Sequence, residues 1–307
     1  MHLCRFLALS LCCALAACAR TPAPVSAPVA TPVVATRPVQ AVQLLTGHLH
    51  DNDLVGFARD AVPPALHPAL ETAWQDGRTR WPLDELPFDD RLPALLKSLA
   101  APDAEAGLRQ TFDQQFAHAA VQIKGAAASL GLFGAQYIAH QGDYSDDERQ
   151  HYAQLIQAAS RWGVAAPLSD AMRARTAIAA LAAAARQTRL ASGADFRAVG
   201  MDESLRRIGA FQAVFKRVLA GYGLDLDGDL ADMRVTLQQQ TGDTARVRMQ
   251  YAFAGQDIDT VVSVERIDGR WYVSDFLHHA QAAVAPAAEA TAARWACAGA
   301  GGDGAGR

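Results

Sequence analysis

Cysteine is scarce in this chain, and what there is lies badly for cross-linking. Of five cysteines in 307 residues, four (Cys4, Cys12, Cys13 and Cys18) fall at the very start and one, Cys297, near the end. That distribution excludes a disulfide-framed fold, and no CxxC pair offers a redox or zinc-ribbon motif. Basic charge is not in excess either. Twenty-eight Lys and Arg stand against 32 Asp and Glu, a net charge of −4, so nothing argues for nucleic acid or an anionic membrane surface as a partner. Also missing are a glycine-rich phosphate loop, a Walker sequence, and a Ser or Cys nucleophile in a recognisable elbow. What remains is a globular balance: half the residues are hydrophobic and a fifth are charged.

The apolar residues begin at once. Met1 to Arg5 is short and carries one positive charge, and Phe6 to Ala14 is predominantly apolar, which is the layout of a secretory signal peptide. That run is shorter than the roughly 20 residues a membrane span needs. It closes on Leu15-Ala16-Ala17-Cys18, which resembles the lipobox of bacterial lipoproteins. The resemblance implies that residues 1–17 are removed, that the Cys18 thiol carries diacylglycerol, and that the new amino terminus is acylated. Each buried methylene contributes about 0.8 kcal/mol, so two or three acyl chains anchor a protein stably. Cys18 is therefore the expected lipidation site, and the membrane is a partner through it. Ala19 stands where the family's inner-membrane retention signal has Asp, which implies the periplasmic face of the outer membrane. Cys297 is then the lone free thiol.

Residues 18–41 hold Pro22, Pro24, Pro28, Pro32 and Pro38 and are expected to form an extended tether, because proline removes backbone donors. Helical periodicity is expected over 42–223. Ala104 to Lys124 carries the stripe Leu108, Phe112, Phe116, Ala119 and Ile123. Gly131 and Gly134 point to close helix packing or a break. Ser145 to Glu148 is a capping box, with Gly163 expected to stop the helix that follows. Ser169 is expected to cap the alanine-rich segment, and Asp202 opens a strongly amphipathic helix that runs to Tyr222. From 224 to 282 the period becomes alternating. Four strands are predicted around Thr236, Val247, Val264 and Tyr272, with turns at Gly242 and Gly269, and Val247, Met249, Tyr251, Val262 and Val264 on the buried face. Residues 283–307 form a low-complexity tail expected to be disordered. The fold class is α+β: a mostly helical body followed by a small C-terminal antiparallel meander packed on helices.

The segment Asp268-Gly269-Arg270-Trp271-Tyr272-Val273, with Asp275, is similar to the closing hairpin of NTF2-like domains. That resemblance implies a cone-shaped sheet with a pocket, here against the Asp202 to Tyr222 helix.

Few residues suggest chemistry. His48, His50, Asp51 and Asp53 form a dense ligand cluster, but on one helix only positions three or four apart share a face, so His50 with Asp53 is the pair that could hold a metal. A polar surface cluster is the simpler reading. Asp225, Asp227 and Asp229 surround Gly228, yet an EF-hand frame would put Gly223 and Arg234 at its two ends, so a turn is expected. His278 and His279 are expected to close the last strand, and His118, His140 and His151 to lie along helices. Tyr137, Tyr152, Trp162, Phe211 and Phe215 read first as core at helical spacing. The leading expectation is a non-enzymatic binding or scaffolding role with an envelope protein partner, without cofactor or metal. The alternatives are a small-molecule binder or hydrolase with an NTF2-like pocket, and a metallo-enzyme using His50 and Asp53.

Overall fold

A computed structural model describes residues 34–86, 89–140 and 144–285. The expected signal peptide, lipobox with Cys18, tether up to residue 33, and tail with Cys297 lie outside the described residues. The architecture is α+β, with a four-stranded antiparallel sheet at the C-terminal end packed on helices.

Helix α1 (Pro38–Asp51) starts inside the stretch expected to be tether. Pro38 occupies the first helical turn, where a missing N–H costs nothing, and the Gln40 side chain accepts hydrogen bonds from the Thr36 and Arg37 amides at 3.0 Å. The chain just before it is also fixed, because the Trp271 amide bonds to the carbonyl of buried Ala35. Ala41, Val42 and Leu45 make the buried stripe of α1. Asn52, in the left-handed region at φ 59°, ends it. Asp53 then caps α2 (Leu54–Asp60) by accepting from the Gly56 amide.

The helical body continues through α3 (His67–Gln75), two 3-10 turns (Leu83–Glu85 and Asp89–Arg91), α4 (Leu92–Ala100), α5 (Ala104–Gln115), α6 (Ala120–His140), α7 (Asp146–Ala165), α8 (Ala171–Thr188), α9 (Gly193–Val199), α10 (Met201–Gly221) and α11 (Leu226–Ala231). Several boundaries differ from expectation. Ala104 to Lys124 is two helices, because the Phe112 carbonyl accepts from both Phe116 and Ala117 and closes α5. The capping box of α7 forms, with Ser145 N to Glu148 Oε2 at 2.8 Å and Glu148 N to Ser145 Oγ at 3.2 Å. Gly163 does not stop α7; it lies within it, against Ala127 of α6. Asp170 rather than Ser169 caps α8, through the Met172 and Arg173 amides.

The strands β1 (Arg234–Thr241), β2 (Thr244–Phe253), β3 (Gln256–Ile267) and β4 (Arg270–Val273) pair as a plain meander, turned at Gly242, Gly255 and Gly269, all with positive φ. Cross-strand pairs Val247 with Val262, Met249 with Thr260 and Tyr251 with Ile258 set one face inward, as the alternation predicts. A last helix, α12 (Ser274–Val284), carries His278 and His279, which the sequence reading had placed at a strand end. Helices α1, α7 and α12 cover the sheet, while α10 packs on α8 and α2. One core runs through both regions, joining Val42, Leu45, Leu205 and Ile208 to Val247, Val264, Trp271 and Leu277.

Candidate functional site

The ligand cluster at the end of α1 is occupied by its own contacts. His48 sits between two carboxylates, with Nε2 2.8 Å from Asp60 Oδ2 and Nδ1 3.3 Å from Asp53 Oδ2. Burial pushes the Asp60 carboxyl up, but hydrogen bonds from His48 and Arg59 outweigh it and hold the group at about 2. His50 turns away to Asp51, Nδ1 to Oδ1 at 2.8 Å. Because Asn52 separates two helices, His50 and Asp53 do not share a helical face. Among the described residues, the set of three or more ligand-capable side chains close enough for one ion is His67, Glu71 and Asp202 instead.

The Asp225 to Asp229 run is α11, not a turn: Asp225 caps it at the Gly228 amide, and Asp229 accepts from the Ala254 amide at 3.2 Å. Asp227 meets a residue that periodicity counts as a defect in the apolar stripe of α10. Lys216 is 4% exposed, and its Nζ donates to the Leu49 and His50 carbonyls at 2.6 and 3.0 Å and to Asp227 Oδ1 at 2.7 Å. A cation here satisfies the orphan carbonyls at the end of α1 and complements the helix dipole.

The remaining described histidines divide by surroundings. His151 on α7 bonds to the Tyr251 hydroxyl at 2.7 Å, and burial lowers its pKa to about 4. His279 is raised to about 9, first by the hydrogen bond with Glu85 (2.9 Å) against the opposing effect of burial. His278 lies 3.0 Å from Glu265. His118 and His140 are exposed at the two ends of α6.

Helix α6 departs most from expectation. Its inner face is built for contact with α7: a Cβ on Gly131 would lie 2.3 Å from Ser160 Oγ, one on Gly134 3.1 Å from Ile156, and one on Gly163 3.0 Å from Ala127. The glycines therefore serve close packing, and Ser160 Oγ donates to the Ala127 carbonyl at 3.0 Å. Helix α7 is in turn fixed to the sheet. The Gln154 amide exchanges two hydrogen bonds with the backbone of Asp259, covering the part of the β3 edge that short β4 leaves unpaired, and Asp147 meets Arg246 at 2.9 Å. The outer face of α6 has no such cover. Val121 is 80% exposed, Leu130 70%, Leu132 64%, Phe133 68% and Tyr137 56%. Lys124 is the only Lys, Arg, Asp or Glu in the helix. Tyr137, read from sequence as core, belongs to this exposed face, and Phe215 is also exposed, whereas Phe211 is buried.

Leaving a large apolar side chain in water forgoes about 1.5–3 kcal/mol of burial, so Leu130, Phe133 and Tyr137, which share one side of α6, mark a surface for contact, while Val121 and Leu132 lie beyond a polar strip of Gln122, Ser129 and Gln136. Leu130, Phe133 and Tyr137 with Ala126 repeat at intervals of four, three and four, the spacing by which one helix meets another. None of the described helices is long and apolar enough to cross a membrane. Two larger concavities lie elsewhere. One of about 450 Å³ is lined by Arg186, Arg189, Glu203 and Arg207 on α8 and α10, and one of about 370 Å³ by Thr46, His50, Leu230 and Val235 beside β1.

No family model, curated protein or solved structure matches the chain.

Proposed function

We propose that this chain is a lipoprotein held through Cys18 on the periplasmic face of the outer membrane, with a non-enzymatic binding or scaffolding role in the envelope. The outer face of α6 is its contact surface, and the occupant is an apolar helix of an envelope protein. The observation that carries this reading is the uncovered side formed by Leu130, Phe133 and Tyr137 on a helix without an acidic residue. A helix is the occupant because the exposed spacing is helical, and α7 already shows how closely this element accepts one on its other side.

Two measurements test it. Radiolabelled fatty acid enters the wild-type chain and not the Cys18→Ala variant, which also leaves the membrane fraction; a variant that stays with membranes removes the anchor. A photo-crosslinking residue at Phe133 in cells yields a discrete protein adduct that Leu130→Asp abolishes, with no such adduct from a probe at Gln110 on α5. Adducts to lipid alone, or the same proteins from both positions, overturn the contact surface.

A further inference from the structure

The described histidines other than His67 either make a close polar contact or are exposed at the ends of α6. His48, His50, His151, His278 and His279 each have a ring nitrogen 2.7 to 3.0 Å from an oxygen. His67 does not. Its ring is largely buried, with 20% of the side chain exposed, yet Nδ1 stands 3.6 Å from Glu71 Oε1 and Nε2 4.0 Å from Asp202 Oδ1. Both separations are too long for a hydrogen bond. Asp202 Oδ1 is closed off from solvent and accepts no hydrogen bond at all. The Asp202 and Glu71 side chains are otherwise 47% and 46% exposed, so the cluster opens to solvent on one side and this enclosed oxygen is the part left without a partner.

The geometry points to a divalent transition-metal site formed by His67, Glu71 and Asp202. One ligand atom from each residue lies within 4.8 Å of the others. Two metal–ligand bonds of about 2.1 Å at a tetrahedral angle place ligand atoms about 3.4 Å apart, so the three atoms must close by up to about 1.4 Å through side-chain rotation to share one ion. His67 and Glu71 stand four residues apart on α3 and share a face, while Asp202 comes from the first turn of α10. One imidazole nitrogen with two carboxylate oxygens suits zinc and its neighbours in the first transition row, and three protein ligands leave the fourth position to water. The nearby cation does not fill the gap, because Arg59 is turned to Asp60 by hydrogen bonds of 3.0 and 2.8 Å. The ion would clip α3 to α10, and the site does not depend on the α6 surface.

Titration of the metal-free full chain with zinc chloride, followed by calorimetry and thermal unfolding, tests the site. One equivalent binds with micromolar or tighter affinity and raises Tm by several degrees, and cobalt in place of zinc gives the visible absorption of a nitrogen and oxygen ligand set. His67→Ala, Glu71→Gln and Asp202→Asn each weaken binding at least tenfold, whereas His50→Ala leaves it unchanged. Tm in chelator shows that each variant is folded, and Glu71→Gln serves where His67→Ala is not. Failure of the wild type to bind zinc overturns the proposal, as does equal binding by wild type and the folded ligand variants, which would place the ion elsewhere.

Discussion

Helices α6 and α10 are both 21 residues long, and their sequences point the wrong way round. The first has one Lys and no Arg, Asp or Glu, yet its outer face stands in water. The second carries Asp202, Glu203, Arg206, Arg207, Lys216 and Arg217, yet buries Met201, Leu205, Ile208 and Phe211 in the main core. Distribution around the axis decides this. Helix α10 sorts its residues onto two faces, so one face is specified as inside. Helix α6 has apolar residues on several sides and a single charge, so its close fit against α7 chooses which side is covered, and the side of Leu130, Phe133 and Tyr137 is left for a partner.

The sharpest way to break the comparison is to remove bulk from each region. Trp271→Ala, which empties a core position 2% exposed where the sheet holds residue 35, is expected to cost about 3–5 kcal/mol in denaturant unfolding, while Phe133→Ala on α6 changes stability by less than about 0.5 kcal/mol. Comparable losses at both positions would mean that the outer face of α6 is packed within the chain. Next comes the charge buried by α10. Lys216→Met leaves the Leu49 and His50 carbonyls only the longer hydrogen bonds from Asn52, at 3.4 and 3.3 Å, and removes the cation beside half-exposed Asp227, and a loss of about 1–3 kcal/mol is expected by the same measurement; a neutral result would show that water replaces the ammonium.

Acid separates the regions in another way. His151, which joins α7 to the sheet, has its pKa lowered to about 4, so the unfolded chain takes its proton first, near pH 6.5. Stability therefore falls between about pH 6.5 and 4, by on the order of 2–3 kcal/mol, and His151→Phe should flatten that limb. His279 has the opposite sign. Its raised pKa gives stability that is complete below pH 6.5 and is lost as pH rises toward 9, a slope that His279→Gln should remove. Unfolding curves that are level across both windows would contradict both assignments.

Between α6 and α7, Gly131→Ala places a methyl against Ser160 and is expected to cost about 1–3 kcal/mol, distinguishing the packed face of α6 from the tolerant one. The smallest effect belongs to the exposed cross-strand pair of Arg248 and Asp259 on the sheet. Arg248→Ala should leave the unfolding midpoint almost unchanged, and any small shift should vanish at high salt.

The sheet was legible because alternation over Val247, Met249 and Tyr251, with glycines at the turns, admits one register. The α7 cap was legible because Ser145 and Glu148 act within four residues. Helix α12 was not, since Ser274 to Val284 follows the strand Arg270 to Val273 with no turn residue between them. The start of α1 was hidden by a proline that, at a first helical turn, supports a helix instead of preventing one. The conspicuous run from His48 to Asp53 offered His50 and Asp53 only as an alternative metal pair, and the fold separates them. Residues adjacent in sequence fell on two helices, whereas His67, Glu71 and Asp202, with 130 positions between the last two, share no motif.

By itself, then, the sequence determined the α+β class, the order of strands and the face that β2 and β3 turn inward, because those depend on periodicity and on turns a few residues long. Only the tertiary structure decided that α1 and not α10 covers the sheet, that a lysine closes the end of α1, and that the most apolar long helix of the body keeps one side uncovered. Those outcomes rest on contacts between residues far apart in the chain, where the fit of one surface to another sets the energy and local pattern carries no record of it.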